Sequence, residues 1–320
     1  MKVQTLPFTF SKGEIFTVRI ITDHREASIR ELSTLMKIPE SSVSKNVKSL
    51  EIKGIVKTRK EGMKKYVDIS DRNYALSLFE MLKTEPYVPW EKLVSNSSIP
   101  VLFRISTGEE SFEHELSHVS TWRALNNLSM HGMITAEPEG LLIRDRYLSR
   151  FISDYSDQVS RKYLMGILPK DAVILWRSGY RCLFRIKSLS DIKPEALPKG
   201  TFPTALTVSP EFGIQFITSD SYYYFEPNLI ELTLEEKILH TLLIDPESQT
   251  YASYALLLAF KVKNDIDMDL LMAKSRKYKL EEKVKIFISY IRSNGRNRKW
   301  PLPKVNELRE QADLYGMVLN

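Results

Sequence analysis

Two sets of residues in this chain have the types and spacing to do chemistry. The first is His114-Glu115-Leu116-Ser117-His118, which fits H-E-x-x-H letter for letter. On one continuous helix, that spacing puts both imidazoles on a single face to hold zinc, with the glutamate as general base. Glu137 or Glu139 would then be the nominal third ligand. The second set is Ser42, Ser44, Lys45, Asn46 and Lys48, followed by Arg59, Lys60, Lys64 and Lys65. Hydroxyls, an amide and cations of this kind donate to phosphates and to base edges.

The zinc match weakens once its surroundings are read. Glu113 adds a charge just before the first histidine, where a metalloprotease helix is mostly uncharged. Val119-Ser120-Thr121 reads as the turn into another helix, so the histidine-bearing helix would end at once. Asp220 with Glu235-Glu236-Lys237 would suit a metal-dependent nuclease only with E-x-K on a strand beside the aspartate. Thr233-Leu234-Glu235-Glu236 is instead a capping box, which places those carboxylates at a helix start, where they favour the helix dipole. Asp265, Asp267 and Asp269 alternate without the glycine and closing glutamate of a calcium loop. Neither a Gly-rich phosphate loop nor a nucleophile elbow is present. The expectation is a protein without metal, cofactor or enzymatic activity.

The donor set needs a helix and a hairpin to carry it. Gly13 to Glu26 is dense enough in Ile and Val for a first helix. Ser28 and Glu31 form a capping box for a second, with Ile29, Leu32 and Leu35 as its buried stripe. After a turn at Pro39, Val43, Val47 and Leu50 recur at helical spacing and leave the donors on the opposite face. Lys53-Gly54 stops that helix. Ile55 to Lys60 and Lys64 to Ile69 read as strands around Glu61-Gly62-Met63. Helix, helix, turn, helix and two-stranded wing is the order of a winged helix. From Val43 to Tyr66, Lys45, Lys48, Lys53, Lys57, Arg59, Lys60, Lys64 and Lys65 oppose only Glu51 and Glu61. On Ser41-Ser42-Val43-Ser44, Leu50, Lys53-Gly54-Ile55-Val56 and the basic hairpin, the region resembles the winged helix domains of bacterial and archaeal transcription regulators. That resemblance implies a helix in the major groove of double-stranded DNA and a wing on flanking phosphates.

A helix over Asn73 to Lys83 follows, and Pro86, Pro89 and Pro100 cut the next stretch into short pieces. Val119 to Ile134 then repeats the earlier helix. Ser120 answers Ser42, Leu125 answers Val47, Leu128 answers Leu50, and His131-Gly132-Met133-Ile134 answers Lys53-Gly54-Ile55-Val56. An internal repeat of this kind implies a second winged helix. Its hairpin carries Glu137 and Glu139, and Glu109, Glu110, Glu113 and Glu115 precede it, all repelled by phosphate. Arg123, Asn126 and Asn127 are its possible base contacts, but a structural or partner-facing module is the preferred reading.

Tyr147 to Leu164 reads as a connecting helix whose stripe (Leu148, Phe151, Ile152, Tyr155, Val159, Tyr163) serves packing or a homodimer. Strands are expected at Ala172–Trp176, Tyr180–Ile186, Thr204–Val208, Gly213–Thr218 and Ser221–Phe225. Helices are expected from the Thr233 cap through Leu243, then at about Tyr251–Val262, Asp267–Lys277, Leu280–Arg292 and Val305–Tyr315. Ile230 to His240 and Ile266 to Tyr278, set after a strand-rich part, look like the C-terminal domain of AbiEi-type antitoxins and their archaeal relatives. That resemblance implies autorepression and antagonism of a nucleotidyltransferase toxin by the C-terminal half.

The composition agrees with this outline. The net charge of +6 and a pI near 9.1 favour an anionic partner, and Cys182 stands alone, without a disulfide framework. With no signal-peptide core and no apolar run long enough for a bilayer, a cytoplasmic protein with no membrane partner is expected. The fold class expected is α+β. Tandem winged helix domains over 1–72 and 73–147 precede a mixed α/β C-terminal domain over 148–320, with short antiparallel strands and a helical end. The function expected is that of a sequence-specific DNA-binding transcriptional regulator, with an antitoxin-like autorepressor as its narrower form. The alternative is a module that neutralises a protein partner.

Overall fold

The computed structural model describes residues 8–24, 26–108, 116–138, 140–187, 197–215, 218–296, 299 and 301–317. It is a mixed α+β protein with small antiparallel sheets and a helical C-terminus. The chain divides into two compact units, 1–163 and 164–320. The stretches 1–72 and 73–147 both fall in the first unit, which also takes most of the long helix after them.

The first unit opens with α1 (Lys12–His24), β1 (Glu26–Ser28), α2 (Ile29–Met36) and α3 (Glu40–Ile52), followed by the hairpin β2 (Val56–Glu61) and β3 (Lys64–Ile69). The Ser28–Glu31 capping box is present. Leu32 and Met36 bury α2, whereas Leu35 is exposed, so the inward stripe runs one residue further round the helix than expected. Strand β1, too short to show a period, pairs with β3 to make a three-stranded sheet in the order β1-β3-β2. Val43, Val47 and Leu50 lie in the core, as their spacing requires.

Four helices and a second hairpin complete this unit: α4 (Asn73–Thr84), α5 (Trp90–Leu93), α6 (Ser98–Thr107), α7 (His118–Met130), β4 (Ile134–Glu137) and β5 (Gly140–Ile143). Helix α8 (Arg146–Ile167) then closes it. Arg19 on α1 holds the two parts together, donating to Glu91 at 2.8 Å and to the Val88 carbonyl at 2.7 Å. Leu148, Phe151, Ile152 and Tyr155 of α8 are buried, with Phe151 packed on Phe10 and Tyr155 on Phe8 and Phe10, so that stripe serves packing.

The second unit carries β6 (Val173–Ser178), β7 (Arg181–Lys187), β8 (Thr201–Pro203) and β9 (Asp220–Phe225), in the order β6-β7-β9-β8. Helices α9 (Leu234–Ile244), α10 (Gln249–Lys261), α11 (Met268–Ser275), α12 (Glu281–Arg292) and α13 (Val305–Asp313) follow around one apolar cluster. The strand expected at Thr204–Val208 is absent. Ala205–Phe212 is a 3-10 helix with Pro210 inside it, ending at Gly213. β8 pairs with β9, and the ladder ends with the Thr204 N–H on the Tyr222 carbonyl at 3.1 Å, after which the 3-10 turn carries the chain out of the sheet. Ile214 and Gln215 stay outside the sheet, and Phe216 and Ile217 lie outside the described residues. Among the described residues, no helix is long and apolar enough to cross a membrane.

Candidate nucleic-acid interface

Helix α3 is fixed at both ends before any outward residue matters. Its C-terminus turns at Gly54, whose φ of +72° belongs to the left-handed region. A Cβ there would stand 2.6 Å from Tyr74 Oη, and that hydroxyl donates to the Lys53 carbonyl at 2.5 Å. Ser70 Oγ donates to the Gly54 carbonyl at 2.5 Å. Helix and hairpin are therefore joined through a locked turn.

The flank of α3 toward α1 is polar and engaged. Asn46 Nδ2 donates to Thr17 Oγ1 at 3.2 Å. Lys53 Nζ meets Glu14 Oε1 at 2.5 Å, and Glu14 also receives bonds from Ser49 and from the Ser11 backbone N–H. Desolvation pushes the Glu14 carboxyl up, but these bonds, led by Lys53, outweigh it and hold the group below its ordinary value. Ser42 lies half-buried on the same flank. Asn46 therefore departs from its expected base-reading position: its amide is turned inward because Gly13 leaves room for it, 3.1 Å from where a Cβ would sit.

The outward face of α3 is Ser41, Ser44, Lys45, Lys48 and Ile52, all exposed. Ser41 belongs to it by helical spacing from Ser44, Lys45 and Lys48. On the hairpin, the alternation of faces sorts the cations. Lys60 pairs across the ladder with Lys65, on the side that carries Thr58, and Thr58 and Lys65 both bond to Glu51 of α3. Arg59 and Lys64 lie on the opposite side, where Arg59 is paired with Glu26 and Glu61 and rests on Tyr66. Lys57 pairs with Asp68 and Asp71. Of the basic run, Lys45, Lys48, Lys60 and Lys64 have no carboxylate within 4.0 Å among the described residues. Carboxylates that close this surface from outside the run (Glu14, Glu26, Asp68, Asp71) are invisible to a local charge count.

Helix α7 repeats the architecture. Both helices have 13 residues, Gly132 has φ +69°, and Met133 N–H bonds to the Leu128 carbonyl at 2.9 Å as Ile55 N–H does to Leu50. The outward face differs in kind: Val119, Trp122, Arg123, Asn126 and Met130 stand where Ser41, Ser44, Lys45, Lys48 and Ile52 stand on α3. Arg123 and Asn126 are exposed, whereas Asn127 is turned inward and donates to the Lys92 carbonyl at 3.2 Å.

His118 is the first residue of α7, and Ser117 is its N-cap, with extended backbone and a side chain accepting from Ser120 N–H. The helix thus begins at His118, before the expected turn at Val119 to Thr121. A non-helical Ser117 breaks the continuous turn that H-E-x-x-H needs between its histidines. His114, Glu115 and Glu139 lie outside the described residues. Among the described residues, no group of three or more His, Cys, Asp or Glu side chains is placed to hold a metal.

Residues 202–317 match a family model described as HVO_2833_C, C-terminal. No curated protein and no solved structure matches the chain.

Proposed function

We propose that the chain is a double-stranded DNA-binding regulator that acts in the cytoplasm through two tandem winged helix units, of which the first reads DNA. The observation that carries this reading is the outward face of α3. Ser41, Ser44, Lys45 and Lys48 lie exposed together, and Lys60 and Lys65 stand on the hairpin side joined to that helix through Glu51. Donors on the helix suit base edges in the major groove, and cations beside them suit phosphates, Lys60 without a carboxylate partner among the described residues and Lys65 shared with Glu51. Ser42, half-buried, has a supporting place at the helix start, and Arg59 and Lys64 reach phosphates only from the outer side of the wing.

Selection of bound DNA from a random library with the full chain tests the reading. Enrichment of a defined sequence, with affinity falling steeply as salt rises, is the expected result. Recovery of no sequence, or affinity indifferent to salt, defeats it.

A second reading concerns the C-terminal unit. The family match is confined to residues 202–317, which supports a module with a role separable from the DNA-reading unit. An antitoxin-like role, in which that unit binds and neutralises a protein such as a nucleotidyltransferase toxin, predicts co-purification with the product of a neighbouring reading frame.

A further inference from the structure

We infer that α7 is the dimer interface of this protein, packing antiparallel on α7 of a second copy about a two-fold axis beside Asn126. Large apolar side chains line its outward face: Val119 is 56% exposed, Trp122 65% and Met130 71%, with Leu141 of the adjoining hairpin at 39%. The equivalent face of α3 is polar and basic, so the repeat has kept the scaffold and exchanged the chemistry. Such a face gives phosphate only Arg123 to bind.

The pattern is complementary to itself, which is what a two-fold interface requires. With the axis beside Asn126, Trp122 falls opposite the partner's Met130, a sulfur–aromatic pairing, and Met130 opposite the partner's Trp122. Asn126 then meets the partner's Asn126. Among the described residues the Asn126 amide has a 3.9 Å contact to Met130 Sδ, and an amide both donates to and accepts from a copy of itself. One asparagine in an otherwise apolar helix seam sets register. The exposed fractions of these side chains, with Arg123 at the rim, amount to on the order of 500 Å² per copy. The pair reaches on the order of 1,000 Å², the size at which specific interfaces begin.

The inference does not rest on DNA binding, and its test needs no DNA. Sedimentation of the full chain at about 10 μM should give a dimer. Trp122→Ala should raise the dissociation constant at least about 30-fold with the circular dichroism unchanged. Cys182 is buried, so an introduced thiol reports cleanly. Asn126→Cys should form an interchain disulfide under mild oxidation, while Lys48→Cys, its counterpart on α3, should not. A monomer at that concentration overturns the proposal. So does a dimer that Trp122→Ala leaves intact, or one in which Asn126→Cys fails to cross-link.

Discussion

Lys53 Nζ lies 2.5 Å from Glu14 Oε1, with the two side chains only 16% and 5% exposed. This pair ties the end of the proposed reading helix to the start of α1, so Lys53 is a structural cation despite its place in the basic run. Removing one partner of a withdrawn pair leaves the other without compensation. Lys53→Ala should cost about 3 kcal/mol in denaturant unfolding of the first unit, and should leave the salt slope of DNA binding unchanged. Glu14 is held below its ordinary value of 4.5, so its contribution is complete above that value and is lost as pH falls through the lower, folded value. Glu14→Gln should flatten the acid limb of stability in that window.

Among the described residues, Lys45, Lys48 and Lys60 have no carboxylate within 4.0 Å, and they lie on the helix side of the unit. Each change to alanine should weaken binding across all sequences and reduce the salt slope by about one unit. Arg59→Ala should do less, because its guanidinium already has Glu26 and Glu61 as partners. Asn46→Ala should leave sequence preference alone and destabilise the unit by about 1 kcal/mol through the lost Thr17 bond. Titrations at several salt concentrations, paired with unfolding curves, separate these outcomes.

The two repeat glycines should respond unequally. Gly54 and Gly132 share a left-handed φ, so alanine costs about 1 kcal/mol at either position from backbone strain alone. Among the described residues nothing lies within 4 Å of a Cβ at Gly132, whereas one at Gly54 meets the Tyr74 hydroxyl at 2.6 Å and Arg72 Cζ at 2.7 Å. Gly54→Ala should therefore cost a further 1–3 kcal/mol, roughly, from overpacking. Equal midpoints for the two variants would refute this account of the turn.

His240 in α9 is fully buried. Its ring nitrogens face Thr204 Oγ1 and Tyr278 Oη, each at 2.8 Å, and its ring stacks on Tyr224 at 4.4 Å. Burial first, and then nearby Lys277 and Lys274, hold it well below its ordinary 6.5 and keep it neutral. Those lysines are themselves paired with Glu226 and Glu236. The unfolded chain takes up a proton near pH 6.5 and the folded one does not, so this stability is complete above 6.5 and declines below it. As pH falls below 6.5 the second unit should therefore lose stability progressively relative to neutral pH. Hydrogen exchange of the α9 amides should show that loss, and His240→Gln should abolish its dependence on pH.

The sequence by itself determined the local elements and their repetition. Val43, Val47 and Leu50 at helical spacing, the Ser28 and Thr233 capping boxes, the glycine stops and the hairpins are short-range signals, and the structure has each of them. Only tertiary structure decided which polar residues point outward. Asn46 reads as a base-edge donor and Lys53 as one cation of the basic run, because the neighbours that claim them, Thr17 and Glu14, are distant in the chain and adjacent only once α1 crosses α3. Strand β8 and the 3-10 helix over Ala205–Phe212 were hidden for the same reason: ladder partners are chosen by topology. The apolar face of α7 was written in the letters of the repeat. Its exposure came from packing, since an amphipathic pattern shows that two faces differ without showing which of them the core has covered.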